Sequence, residues 1–443
     1  MPENRRAAVD IGTVLLPAMC LNRYYVAEGV RVFSQETWRL AVGDRGVSLV
    51  ADRCGAFVSH YIEQSKANNH AVREAACACL AEIAAKVPKE RHAEHTPAAL
   101  SALLSCFRDE SWPVRDAACV ACERLVRACP DEVPEDVREE LWRLFVAHLW
   151  DNIPSVRADS ARALGACAEA WGPGALARCW AALDDALPRA KSQPSDSQRY
   201  GSLADGGATF GVAGPRRTRA NDVAAHTDQT LFSCGSLAPK LRRGAGCIDH
   251  GFKREREPWE ASEGALRLLA VLAPLDPVGA GDRLGLVAEL AALDTFTHAP
   301  ALWEAVAEVL PTVARAVGPR PLRPQLDALT SSLVRVLSCG ARRAEHAAGA
   351  ALGALRDVVG AGVFAGRLSQ EQAAALAVAG DLVPAPPPTP IEDPAARDAL
   401  VAAARAAAPG GGGDAISAAL GRLTAGGGRG SKKTAPLPVE PTA

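Results

Sequence analysis

Aromatic residues make up only 5% of this 443-residue chain, and methionine occurs twice. That shortage, with alanine abundant, suits helices that pack closely through small residues. Charge of one sign is also missing. The net charge is −2, so no global attraction to nucleic acid or an anionic membrane is implied. No run approaches the ~18–20 apolar residues that span a bilayer. The start of the chain, Met1-Pro2-Glu3-Asn4-Arg5-Arg6, leads into a short apolar stretch, Ile11–Cys20, and then Asn22-Arg23-Tyr24-Tyr25. That is not a secretory pattern. There is no P-loop, no G-x-S-x-G elbow and no H-E-x-x-H. Gly279-Ala280-Gly281-Asp282 is a glycine pair between helices without the strand that a dinucleotide fingerprint needs. These absences remove the commonest catalytic signatures and leave none in their place.

What is present is a repeat. Val30-Arg31, Val72-Arg73, Val114-Arg115 and Val156-Arg157 fall 42 residues apart, and a period of ~20–50 residues signals a stacked architecture. After each valine, small or apolar residues fall at offsets of 3, 4, 7, 8 and 11, one stripe of a helix. From Val114 these are Ala117, Ala118, Ala121, Cys122 and Leu125. The same stripe returns from Ala261, Leu302 and Ala344, so the successive intervals are 42, 42, 42, 105, 41 and 42. Another apolar segment precedes each anchored helix, for example Pro97–Phe107, Pro134–Trp150, Gly174–Leu187 and Pro321–Leu337. Each repeat therefore reads as two helices joined by a turn. Ser111-Trp112-Pro113 and Asn152-Ile153-Pro154 are two such turns.

This pattern resembles the HEAT repeat of the wider HEAT/armadillo superfamily. The family places an Asp in the turn and an Arg six residues later. Asp109/Arg115 and Asp151/Arg157 fit, whereas Arg73 and Arg31 have Ala67 and Tyr25 where the Asp would be. The resemblance implies an all-α, right-handed α-solenoid of about seven two-helix repeats. It also implies a structural ladder of Asp109, Arg115, Asp151, Arg157 and Arg73 between repeats, weakened toward the N-terminus. A hydroxylase class within this superfamily binds iron through His-Glu pairs; no His-Glu dipeptide occurs here.

The odd interval exceeds one repeat by 63 residues. The chain divides into N-terminal repeats over 9–187, an insertion over 188–257, C-terminal repeats over 258–380 and a tail over 381–443. The insertion opens in low-complexity sequence, Ser192–Gln198, and replaces a turn inside one repeat. From Lys191 to Glu257 it carries 11 Lys/Arg against 7 Asp/Glu, including Arg216, Arg217 and Arg219. It reads as a largely disordered, mildly basic segment, whose second half could lie along the solenoid or fold on a partner. The Pro-, Ala- and Gly-rich tail reads as mostly flexible.

Candidates for chemistry have simpler readings. Cys234, Cys247 and His250, with His226, match no compact zinc spacing, and reduced cysteines with a surface histidine account for them better. No cofactor and no metal are expected. Cys119 and Cys122 form a C-x-x-C on a helix that carries the packing stripe, where cysteine acts as a small hydrophobe. Cys77, Cys119, Cys122 and Cys167 on or beside that stripe suit a reducing compartment, the cytoplasm with the nucleus left open. His92 and His95 are expected in a solvated loop. Trp38, at offset 8, is expected in the core. Trp112 and Trp150 at successive turns, with Arg216, Arg217, Arg219, Phe232 and Phe252 of the insertion, are the candidate contacts for a partner. The expected function is a non-enzymatic scaffold or assembly factor that binds proteins, without specific nucleic-acid binding or membrane insertion. A tubulin-binding array resembling the TOG class, and a transport-receptor-like adaptor, are the alternatives. The neutral-to-acidic turns Arg108-Asp109-Glu110 and Asp151-Asn152 argue against tubulin.

Overall fold

The computed structural model describes residues 15–201 and 256–380. All of them belong to one compact unit, Met1–Pro384. Among the described residues there is helix and no strand. The helices of eight or more residues are α1 (15–22), α2 (Glu28–Val42), α3 (Cys54–Gln64), α4 (His70–Lys86), α5 (Thr96–Cys106), α6 (Trp112–Ala128), α7 (Glu135–His148), α8 (Pro154–Trp171), α9 (Pro173–Ala186), α10 (Pro258–Leu272), α11 (Leu284–Ala292), α12 (Ala299–Val317), α13 (Leu326–Val336), α14 (Arg342–Val359) and α15 (Gln370–Val378).

All seven anchors fall on helices: α2, α4, α6, α8, α10, α12 and α14. From α4 onward these second helices pack each on the next, so one continuous row runs through the array. First helices such as α5, α7, α9 and α13 pack against it. The stripe explains the row. Ala118, Ala121 and Cys122 of α6 and Ala265, Leu268 and Leu269 of α10 are fully buried. Burying each large member from water contributes roughly 1.5–3 kcal/mol. Small residues bring helices close, and at two places only glycine serves. A Cβ on Gly264 would lie 2.0 Å from the carbonyl oxygen of Leu149, and one on Gly165 2.1 Å from a methyl of Val271. Both contacts lie where α10 meets the array before the insertion. The residues on either side of the insertion are therefore packed at backbone contact, and α8 lies directly on α10.

Turn chemistry matches the sequence closely at α6 and α8, where proline occupies the first turn. The first-row helix expected from Pro321 begins instead at Leu326, after short helical turns over Pro319–Gln325. Gly279-Ala280-Gly281-Asp282 lies inside the short helix Pro277–Asp282, because Asp276 caps the amide of Gly279 at 2.9 Å. No helix among the described residues is long and apolar enough to cross a membrane.

Candidate functional site

The arginine of the repeat does two jobs. Arg73 donates to the turn carbonyls of Ala67 (2.8 Å) and Asn68 (3.0 Å), and Arg115 to those of Asp109 (3.1 Å) and Glu110 (3.2 Å). Each then reaches forward 36 residues. Arg73 binds both carboxylate oxygens of Asp109 at 2.6 and 2.8 Å, and Arg115 sits 3.4 Å from Asp151. The aspartate is shared in turn: Asp109 accepts from the amide of Ser111 and Asp151 from that of Ile153, both at 2.9 Å. Such short-range bonds fix a turn. Because pairing runs forward, the missing Asp at Ala67 costs Arg73 nothing. It deprives Arg31, which has no ion pair among the described residues.

Arg157 should find its forward partner in the turn that the insertion replaces. It is buried instead among acids of α10. Its guanidinium donates to the carbonyl of Asp151 at 2.7 Å, pairs with Glu263 and lies 3.5 Å from Glu260. All three side chains are at most 3% exposed. Arg267, 2.8 Å from Glu263, adds a second cation. Burial raises the carboxyl pKa of Glu263, yet Arg157 and Arg267 hold it below the usual carboxylate range. Sequence reasoning missed Glu260 and Glu263. Their signal was two acids in one turn of an otherwise apolar stripe, Trp259-Glu260-Ala261-Ser262-Glu263-Gly264.

The insertion is narrower than expected. Residues 188–201 and 256–257 are built into the array, and so correct the boundaries 188–257. Glu257 gathers Gln193 (2.9 Å), Arg199 (2.8 Å) and Trp259 (3.1 Å) on its carboxylate. Ser262 accepts from the amide of Ala190 at 2.8 Å, and Asp196 accepts from the amide of Thr297 at 2.7 Å. Ser195 and Gln198 form a capping box. The polar string read as low complexity thus supplies specific partners to buried groups. Trp150, offered as a partner contact, is engaged here too: its indole donates to the carbonyl of Glu257 at 2.8 Å and Arg189 lies over its ring. Trp112 is half-buried at the first position of α6.

A different feature marks the row of second helices. Glu74, Asp116 and Asp159 stand at offsets 2, 2 and 3 from their anchors on α4, α6 and α8. Burial raises all three carboxyl pKa values. Asp116 adds to the rise at Glu74 and at Asp159, which is pushed up to about 7. Arg162 pairs with Asp159 at 2.5 Å from an exposed position. Among the described residues Glu74 and Asp116 have no ion pair, and Asp116 Oδ1 is buried without a hydrogen-bond partner. Beyond the insertion the charges of the row are matched: Arg267 pairs with Glu308 at 2.6 Å and Arg343 with Glu304 at 2.8 Å.

Trp38 is buried, as are Cys119 and Cys122. His92 corrects the expectation of a solvated loop. It is 2% exposed, in the helical turn Lys89–His92, with Nδ1 3.7 Å from the sulfur of Cys129. Packing of α3 and α4 around that turn buries it, and burial lowers its pKa. His95 is half-buried. Arg216, Arg217, Arg219, Phe232, Phe252 and the Cys234/Cys247/His250 set, with His226, lie outside the described residues. Among those described, no group of three or more His, Cys, Asp or Glu could hold a metal ion.

Comparison with known proteins bears on part of this array. A family model described as HEAT-like repeat matches residues 70–125, which run from the start of α4 into α6. Over that span the chain carries a HEAT-like repeat. Among solved structures it is similar to a designed armadillo repeat protein (16% identity, 67% of this chain and 99% of that one, TM-score 0.31). It is similar to importin beta (16%, 83% and 41%, TM-score 0.40). It is also similar to the karyopherin Kap121p bound to the extreme C-terminus of the phosphatase Cdc14p (15%, 84% and 34%, TM-score 0.46). The chain thus spans under half the length of importin beta and of Kap121p. No curated protein matches the chain.

Proposed function

We propose that this chain is a non-enzymatic scaffold that holds protein partners, and that the acidic row Glu74, Asp116 and Asp159 receives a basic segment of one. The observation that carries this reading is the crowding of those three carboxyls beside a single Arg162. Ionising them side by side is unfavourable, and an incoming Arg or Lys relieves the repulsion. Such contacts, part-buried, contribute about 0.7–1 kcal/mol each, so three are worth roughly 30- to 150-fold in affinity. A reducing compartment, cytoplasmic or nuclear, fits a chain whose eleven described cysteines are free. The tubulin reading needs exposed turn tryptophans, and Trp150 is already engaged by Glu257 and Arg189.

The test is fluorescence anisotropy with a labelled arginine-rich decapeptide. The triple variant Glu74→Gln/Asp116→Asn/Asp159→Asn is expected to bind at least ~30-fold more weakly. Glu304→Gln/Glu308→Gln, on the matched part of the row, is expected to bind as the wild type does. Binding should strengthen as pH rises through about 7, where Asp159 ionises. Equal affinity of the triple variant and the wild type would refute the reading.

A further inference from the structure

A cavity of about 220 Å³ lies at the N-terminal end of the array, lined by Cys20, Arg23, Trp38, Tyr61, Cys79 and Glu82 among others. Its chemistry differs from that of the rest of the core. Arg23 Nη2 is 2.8 Å from the sulfur of Cys20, and Arg23 Nε donates to the Cys20 carbonyl at 3.2 Å. Glu82, paired with Arg23 at 2.5 Å, fixes the guanidinium in place. Cys79, one turn before Glu82 on α4, approaches the Cys20 carbonyl at 3.8 Å. The Cys79 thiol is thus a close neighbour of Cys20 and lowers its pKa. The hydroxyl of Tyr61 is buried beside both thiols without a conventional partner.

Most cysteines of this chain are inert by the same physics that buries them. Burial raises Cys119, Cys122 and Cys179 far above the ordinary thiol range, the last to about 12. Cys20 departs the other way. The hydrogen bond from Cys79 lowers it most, burial opposes, and the charge of Arg23 adds to the lowering, which leaves it at about 7. Cys79 is raised well above its ordinary value by burial. The sulfur that touches a cation and its protonated neighbour therefore both line a cavity of small-molecule size. Cys106, beside Cys77, is lowered as well, but neither of these two lines the cavity and no guanidinium hydrogen-bonds to either sulfur.

We propose that Cys20 and Cys79 form a hydroperoxide-reactive dithiol. The Cys20 thiolate attacks the terminal oxygen of ROOH. An S–O bond forms, the O–O bond breaks, and the alkoxide leaves as ROH with a proton from solvent. The Cys79 thiol then attacks the Cys20 sulfenic sulfur. The S–S bond forms, the S–O bond breaks, and the departing hydroxide takes the Cys79 proton to leave as water. Two thiols and one hydroperoxide give a disulfide, an alcohol and water, with two electrons passing from sulfur to oxygen. The disulfide would tie α1 to α4 and so lock the first repeat onto the second.

The test uses the full chain with Cys234→Ser and Cys247→Ser, treated with hydrogen peroxide and mapped by peptide mass spectrometry. A Cys20–Cys79 linked peptide is expected at least ~10-fold faster than oxidation at Cys77, Cys106 or Cys339. In Cys79→Ser, Cys20 is expected to stop at the sulfenic acid and be trapped by dimedone. In Cys20→Ser, Cys79 should stay reduced. Because either variant could lose its fold, iodoacetamide alkylation of the unsubstituted protein serves as a second readout. Cys20 should be alkylated first, with a midpoint near pH 7. The proposal is overturned if Cys20 is alkylated only on unfolding, or is oxidised no faster than Cys77 and Cys106.

Discussion

Replacing Arg157 with methionine probes the array where the insertion interrupts it. The substitution keeps most of the side-chain volume and removes the cation between Glu263 and Glu260, both at most 3% exposed. Removing one partner of a buried ion pair typically costs roughly 3–5 kcal/mol, because the other charge is left without compensation. Arg267 still holds Glu263 from the far side at 2.8 Å, and Glu260 keeps the amide of Glu257 at 2.7 Å. The lower part of that range, about 3 kcal/mol, is therefore expected. With a urea dependence of ~1–3 kcal/mol per molar, the unfolding midpoint should fall by about 1 M or more. Adding Glu263→Leu removes the stranded charge and should recover at least half of the loss. Arg267 then keeps Glu308, 2.6 Å away. The pH dependence has a definite sign. In the wild type the Glu263 carboxyl is held low, so its contribution is present at neutral pH and is lost on acidification through that low folded value. In Arg157→Met one opposing cation is gone and burial acts more strongly, so the carboxyl pKa rises. The variant then prefers the protonated acid, and its deficit should shrink as pH falls from about 8 to about 5. A loss under ~1 kcal/mol, or no recovery in the double variant, would refute the argument.

Three further substitutions test other links. Gly264→Ala drives a methyl into the carbonyl of Leu149 and should cost about 1–3 kcal/mol or more, read as a fall in Tm; an unchanged Tm would show that α10 does not meet the end of α7 at backbone contact. Asp109→Ala removes a turn cap and the forward partner of Arg73, and is expected to cost roughly 2 kcal/mol in urea. Because Arg73 also holds the carbonyls of Ala67 and Asn68, the Arg73→Ala/Asp109→Ala pair should be non-additive. Asp159 has a folded pKa raised to about 7. Wild-type stability should therefore fall as pH rises from about 4 to about 7, and Asp159→Asn should remove part of that slope, so that its Tm relative to wild type increases toward alkaline pH; parallel Tm–pH curves would contradict the crowding.

Much of this fold was legible because its information is periodic. The 42-residue register from Val72 to Val114 to Val156 placed α4, α6 and α8, and the degenerate copies at Ala261, Leu302 and Ala344 placed α10, α12 and α14. Cys122 and Trp38 were assigned to the core by offset alone. What was not legible depends on contacts between distant segments. Glu260 and Glu263 are buried where Arg157, over a hundred residues earlier, meets them. Ser192–Gln198 has the composition of a linker, yet Gln193 and Asp196 serve groups on later helices. His92 looked solvated because nothing local says that α3 and α4 close over it. The acidic row was half visible, since Glu74 and Asp116 share offset 2. The crowding of their carboxyls is a property of stacking and not of spacing.

The most direct measurement compares two deletions by calorimetry and circular dichroism. One array runs through the interruption, with 188–201 and 256–257 as working parts of it. Replacing 202–255 by a short Gly-Ser linker is expected to keep a single transition within a few degrees of the wild-type Tm, since Arg199 and Glu257 already meet at 2.8 Å. Replacing 190–256 removes Gln193, Asp196 and Arg199 along with their contacts and should lower Tm by ~10 °C or split the transition. If 202–255 cannot be removed without loss of cooperative unfolding, or if both deletions behave alike, the continuous array is not what holds this protein together.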